Sequence, residues 1–330
     1  MPTPYLLLSL TILSWAGNAI VGKLAAGEVS PLLLTALRWG VASAIVLPFA
    51  WRHMAADRET IRRHWPRLAA LGFVGFSLFN AMLYVALERT TAMNVVLVQG
   101  GMPAVIFLFS FLVFRRSVAS LQIAGFVLTL LGVVVVVMGT GEELGAIGMG
   151  DVVILIAMLV YAAYTVALAF KPAMHWLSAV CVMGLFGFLF SLPLAGWEIA
   201  TSRANWPEGW EGAAIVAYTG VFPSLVAQMG YIRANEMIGA NRAGMFVNFT
   251  PVVGALLAVL ILGETFHWTH GVALALTIGG IVLAEWAAGR KARNGDGKPV
   301  PGARPGTTAS NGHVSETRGE AGRNYATPAE

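Results

Sequence analysis

The chain has 330 residues, of which 57% are hydrophobic and 12% charged, with a net charge of +4 and a mean hydropathy of +0.72. A soluble domain carries about 25% charged residues, so this composition excludes a water-soluble globule and points to an integral membrane protein. The single cysteine, Cys181, excludes an intramolecular disulfide and reads as a small packed hydrophobe.

The apolar residues come in blocks of the length that a helix needs to cross about 30 Å of hydrocarbon. In chain order the predicted spans are 4–24, 31–51, 67–87, 92–114, 119–138, 150–170, 175–197, 211–232, 240–262 and 268–288. Their continuous rather than alternating apolar character excludes the strands of a barrel. The first span follows MPTPY, which lacks a basic residue, so it reads as a retained span rather than a signal peptide. From Gly289 onward the sequence is rich in Gly, Pro, Ser and charge, and 289–330 is expected to be a disordered cytoplasmic tail.

Basic residues mark cytoplasmic loops. With the N-terminus inside, the inner connections hold thirteen: Arg52, Arg58, Arg62, Arg63, Arg67, Arg115, Arg116, Lys171, Arg233, Arg242, Arg290, Lys291 and Arg293. The outer connections hold three, Lys23, Arg89 and Arg203, beside acidic Glu142, Glu143, Glu208 and Glu264. Both termini are therefore expected in the cytoplasm. The basic pI follows from this loop charge, so no nucleic-acid partner is implied.

The second half repeats the first. At an offset of 148, ALERTTAMNVVLVQGGMPAV (86–105) lies on ANEMIGANRAGMFVNFTPVV (234–253); Gly72 meets Gly220, Asn80 meets Gln228 and Gly132 meets Gly280. An offset of 146 places the first span on the sixth, Trp15 on Tyr161 and Asn18 on Tyr164. Each unit, 1–138 and 150–288, holds five spans, an odd number, so the second enters the membrane from the opposite side. The expected fold is all-α: ten transmembrane helices as two inverted five-helix repeats around a central cavity. Inverted repeats of this kind are the signature of secondary transporters.

Each unit opens with a helix like SWAGNAIVGK or LVYAAYTVAL and carries a small-residue stretch leading to a proline; the second half adds LILGETFHWTHGVALALTIGGIVL (259–283). Over about residues 4–288 the chain thereby resembles the EamA branch of the drug/metabolite transporter superfamily, although Phe114, Arg115 and Arg116 replace the GE motif in the first half. The resemblance implies a bacterial inner-membrane exporter of amino acids or related metabolites, most similar to the aromatic amino-acid exporters. The small four-helix multidrug pumps of that superfamily use a carboxylate in the first helix; here that helix offers Asn18, which cannot exchange a proton.

Polar groups within spans are costly and mark candidate substrate contacts. The amides are Asn18, Asn80, Gln99, Gln228 and Asn248; the aromatics sharing their faces are Trp15, Tyr84, Tyr161 and Tyr164. Each amide either touches substrate or hydrogen-bonds a neighbouring helix, and each mid-span aromatic either lines an apolar pocket or packs the core. Trp51, Trp65, Trp197, Trp206, Trp210 and Trp286, near span ends, read as interface belts. Arg38 either neutralises a substrate carboxylate or snorkels to the headgroups. Pro103 and Pro251, at equivalent positions, are expected to kink their helices, as gates or for packing. Glu285 is expected to pair with Arg290 or water. His267 and His270 lack companions for a metal site, and no constellation of nucleophile, base or metal suggests an enzyme. No cofactor is expected. The partners are a small-molecule substrate, an amino acid or related metabolite, and the lipid bilayer; a cationic drug or other metabolite is the alternative cargo. The oligomeric state stays open, a monomer being plausible.

Overall fold

The computed structural model describes residues 3–115, 119–139 and 148–293. These form helices and connections, with no strand among the described residues. Among the described residues, ten helices are long and apolar enough to span a bilayer: α1 (Thr3–Leu24), α2 (Pro31–Ala56), α3 (Arg58–Arg89), α4 (Ala92–Phe114), α5 (Ser120–Met138), α6 (Met149–Phe170), α7 (Trp176–Ala200), α8 (Gly209–Ile238), α9 (Arg242–Leu262) and α10 (Trp268–Arg290). An all-helical answer follows from the solvent, since hydrocarbon supplies no partner for a backbone N–H or C=O. Large apolar side chains such as Leu6, Phe49, Leu112, Leu189 and Leu260 stay exposed on the outside, where lipid is as apolar as they are.

Several span ends differ from expectation. The Arg-rich segment expected as a loop is helical from Arg58 and meets the span at a kink at His64 (φ −117°, ψ 15°), two residues before Pro66, where proline disfavours regular helix. Helix α8 extends beyond 211–232 at both ends. Helical backbone also continues from α10 to Arg293, past the expected boundary at Gly289. The rest of the expected tail, 294–330, lies outside the described residues, as do Arg116, Glu142 and Glu143.

The helix contacts reveal the repeat. Helix α1 packs on α8 and α9 as its counterpart α6 packs on α3 and α4; α2 packs on α8 as α7 packs on α3. The helices α2, α4 and α5 each lie against their own counterparts α7, α9 and α10. Contacts that survive exchange of the two halves define a pseudo-two-fold axis between them. At the α5–α10 crossing, a Cβ on Gly132 would meet Thr277, and one on Gly280 would meet Thr129. These two pairs are images at the 148 offset, and small residues let the helix backbones close in.

Local irregularities repeat as well. Helix α3 is π-wound over Phe73–Leu78 and α8 over Phe222–Val226. Helix α4 is interrupted at Gly100–Gly101, ahead of Pro103, and α9 at Asn248–Phe249, ahead of Pro251. Both helices end on a left-handed residue, Arg115 (φ 47°) and Gly263 (φ 67°). Glycine adopts that conformation freely, whereas an arginine there costs about 1–2 kcal/mol.

Candidate substrate-binding site

Helix α2 starts with Pro31, whose missing N–H and fixed φ suit a first turn. Its next free amides, Leu32 and Leu33, donate to the Glu198 carboxylate of α7 at 3.4 and 2.9 Å, an anion at the positive end of the helix dipole. This anchored start fixes Arg38, seven residues in and about 10 Å along the axis. Arg38 is 5% exposed. Its Nε donates to Ser224 Oγ of α8 (2.7 Å), and its Nη1 donates to Asn18 Oδ1 of α1 (3.1 Å) and to the Tyr84 hydroxyl of α3 (2.7 Å). Tyr84 in turn donates to Asn18 Oδ1 at 3.0 Å. The guanidinium carbon lies 5.3 Å from the Trp39 ring centre and 6.0 Å from that of Tyr84.

The charge balance of this cluster is its main chemical feature. Every hydrogen-bond acceptor of Arg38 is a neutral oxygen, and Nη2 donates to no described residue. The ion pairs among the described residues, Arg62–Glu59 and Arg233–Glu236, lie on exposed helix surfaces. A cation held away from water without an anion is costly unless something compensates it. Cation–π contact and polarised neutral acceptors hold it partway. A carboxylate displacing the Asn18 and Tyr84 oxygens would complete the compensation through charge-assisted, bidentate bonds. Snorkelling, the other sequence-based reading of Arg38, is excluded by its burial and inward partners.

Ser224 lies in the π-wound segment of α8 and donates to Thr219 O, five residues back, at 2.8 Å. The π turn thus frees a hydroxyl oxygen to face Arg38; such turns recur at functional sites. Across the pseudo-two-fold axis, Phe76 occupies the image of Ser224, Tyr164 that of Asn18 and Gly184 that of Arg38. Here the chemistry is aromatic. Trp39 stacks on Phe76 (4.2 Å, 5° between planes) and donates its Nε1 to Phe76 O at 2.6 Å. Phe76 meets Tyr164 edge-on at 6.0 Å, Tyr164 meets Tyr161 at 5.6 Å, and Tyr161 meets Phe79 at 4.6 Å. Trp39 therefore joins a charged half-site to an aromatic one.

The candidate residues separate on this map. Asn18, Tyr84 and Arg38 form the charged half-site; Tyr161 and Tyr164 belong to the aromatic one. Asn80 is buried but donates to Phe76 O at 2.8 Å, a bond within its own helix that completes the π turn. Trp15 pairs with Tyr231 at 5.6 Å. Gln99 and Gln228 are half-buried and join neither half-site through a hydrogen bond among the described residues. Asn248 donates to Glu285 Oε1 at 2.9 Å, in a separate cavity that Pro103 also lines. That bond replaces the expected Glu285–Arg290 pair, since Arg290 lies over the Trp286 ring at 4.7 Å. Pro251 is buried just past the break in α9. His270 Nδ1 accepts from the His267 N–H at 3.1 Å, a local bond at the start of α10. Lys23, expected to reach the outer surface, caps the end of α3 by donating to Leu87 O and Thr90 O at 2.9 and 2.8 Å.

Sequence reasoning missed Ser224, Trp39, Phe76 and Glu198. Ser224 sits beside a proline in an apolar span and is small enough to pass as packing. Trp39 directly follows Arg38, the one arginine buried among the described residues, and that adjacency was the available signal.

Ten spans in two repeated halves, closing on a buried unneutralised cation, define a membrane transporter rather than an enzyme. Comparison with known proteins agrees: the EamA-like transporter family matches residues 2–138 and again 148–286, and the chain belongs to it. Similar curated proteins include the uncharacterized transporter YetK of Bacillus subtilis (25% identical over 81% of this chain and 82% of that one). An uncharacterized transporter of Archaeoglobus fulgidus is 26% identical over 84% of this chain and 96% of its own length. A chain of known crystal structure superposes with a TM-score of 0.61 at 23% identity, covering 88% of this chain and 99% of that one, a likeness of fold.

Proposed function

We propose that this protein exports amino acids, aromatic and other neutral ones favoured, across the bacterial inner membrane by alternating access. The observation that carries the reading is Arg38, buried with only neutral oxygens for partners. A permanent cation at this depth attracts an anionic group and repels a cationic cargo, because charge interactions are weakly screened there. That argues against a cationic drug. The aromatic half-site reached through Trp39 favours a side chain of the same character. Movement of the two halves about their axis, with the breaks before Pro103 and Pro251 as gates, would expose the site to each side in turn. The loop charges favour cytoplasmic termini.

The test is reconstitution into liposomes with labelled phenylalanine, leucine, a nucleotide sugar and a cationic drug. Movement of the two amino acids, each competing with the other, is the expected result; movement of another class with neither amino acid transported overturns it. In a Cys181→Ala background, single cysteines at Arg62 and Arg203 should label from the cytoplasmic and outer sides respectively.

A further inference from the structure

A cavity of about 250 Å³ opens between α4, α5, α9 and α10, at the end of the bundle where α5 begins and α10 ends. Pro103, Gln122, Phe126, Gly244, Asn248 and Glu285 line it, with only small or apolar residues of α10 besides. Glu285 is therefore the one charged group among the lining residues. Charged residues further along the surrounding elements, Arg115 on α4, Arg242 on α9 and Arg290 on α10, are not among the lining residues. Asn248 donates to Glu285 Oε1 at 2.9 Å, which fixes the carboxylate toward the break in α9. Its Oε2 makes no hydrogen bond with a described residue.

We propose that this cavity is an ammonium-binding subsite, with Glu285 as the counter-ion, Asn248 as its positioning residue and Gln122 as a neutral wall. Resting on the amino-acid reading above, it is where a cytoplasmic substrate docks first, amine foremost. The volume suits one small molecule, and the prolines that break α4 and α9 border this cavity or follow its lining residue Asn248. Arg38 lies buried about 10 Å inside one end of the bundle, and Glu285 lies about 8 Å from the other, exposed at the mouth of the cavity. Across about 30 Å of hydrocarbon that leaves on the order of 10 Å between them, more than the two charged groups of one amino acid span. The two charges thus act in sequence, with the amine held first and the carboxylate afterwards. The repeat gives no second copy of this subsite, because Val137 stands at the image of Glu285.

An ammonium can also come from an ethanolamine lipid headgroup, so the experiment separates the two sources. Equilibrium dialysis of labelled phenethylamine, which lacks the carboxylate, is run on the full chain in detergent and in bicelles with or without phosphatidylethanolamine. Wild-type protein should bind it; Glu285→Gln should weaken binding at least tenfold and Glu285→Asp less than threefold. Leucine should compete and phosphatidylethanolamine should not. Equal binding by wild type and Glu285→Gln, no binding at all, or equal loss in Glu285→Gln and Glu285→Asp overturns the proposal. Displacement by phosphatidylethanolamine alone assigns the ammonium to lipid and overturns the substrate-docking role. The dialysis needs no transport, so amine binding without amino-acid flux would remove the export reading and leave the subsite standing.

Discussion

The two half-sites share one backbone plan and hold opposite chemistry. Around Arg38 the π-wound segment of α8 presents Ser224; around Tyr164 the π-wound segment of α3 presents Phe76. Arginine, asparagine and serine on one side become glycine, tyrosine and phenylalanine on the other. A duplicated scaffold can thus keep its helix irregularities, which set where side chains project, while the side chains diverge; on the proposed reading they would grip different ends of one ligand. At the image of Arg38, a Cβ on Gly184 would lie 3.2 Å from Ser43 Oγ and 3.9 Å from the Trp39 ring, so this position packs closely on Ser43 and leaves Trp39 in ordinary contact.

The sharpest way to break the contrast is Arg38→Met. Transport of carboxylate substrates should fall at least about 100-fold, in line with the several kcal/mol of a desolvated charge pair. The melting temperature should hold or rise, since no buried counter-charge is stranded. Near-normal flux in proteoliposomes would remove the charged half-site from the mechanism. Next in size, Tyr164→Ala should cut the preference for phenylalanine over alanine by about tenfold and lower stability by about 3–5 kcal/mol, as a large buried ring is lost; competition assays and thermal melts report both. Asn18→Ala should raise the concentration for half-maximal transport about five- to tenfold with little change in stability, consistent with about 1–1.5 kcal/mol for one hydrogen bond to a charged group. If neither Asn18→Ala nor Tyr164→Ala changes transport by a correctly inserted protein, the two-sided site is wrong. The smallest effect belongs to the joint between the sides: Trp39→Phe keeps the stack but loses the 2.6 Å donation to Phe76 O, for about 1 kcal/mol in a denaturation series.

Much of the architecture could be read from the chain because it is written twice. The offset of 148 that aligns Glu88 with Glu236 and Pro103 with Pro251 also aligns the helix breaks, the π-wound segments and the left-handed ends at Arg115 and Gly263. Apolar runs and prolines signal spans and breaks directly, because hydrocarbon permits few alternatives. The site was only partly legible. Asn18 and Asn80 look equivalent in sequence, yet one reaches Arg38 and the other bonds its own helix at Phe76 O. What separates them is the π turn, which leaves a carbonyl beside Asn80 and which no residue pattern announces. Glu198 and Lys23 escaped for a related reason: both satisfy helix ends contributed by other spans, and such partners exist only after folding.

The crossing of α5 and α10 carries a last consequence. Gly132 meets Thr277 as Gly280 meets Thr129, so both sides of the contact are built alike. If the halves rock about this joint, tilting either way repacks the same Gly–Thr pairs, apart from the one-sided donation of Thr129 Oγ1 to Thr277 O at 3.4 Å. It would then work as a nearly unbiased fulcrum. Whatever makes the carrier rest facing one compartment, and whatever gives its traffic a direction, must then come from places where the halves differ, foremost the unlike walls around Arg38 and Tyr164.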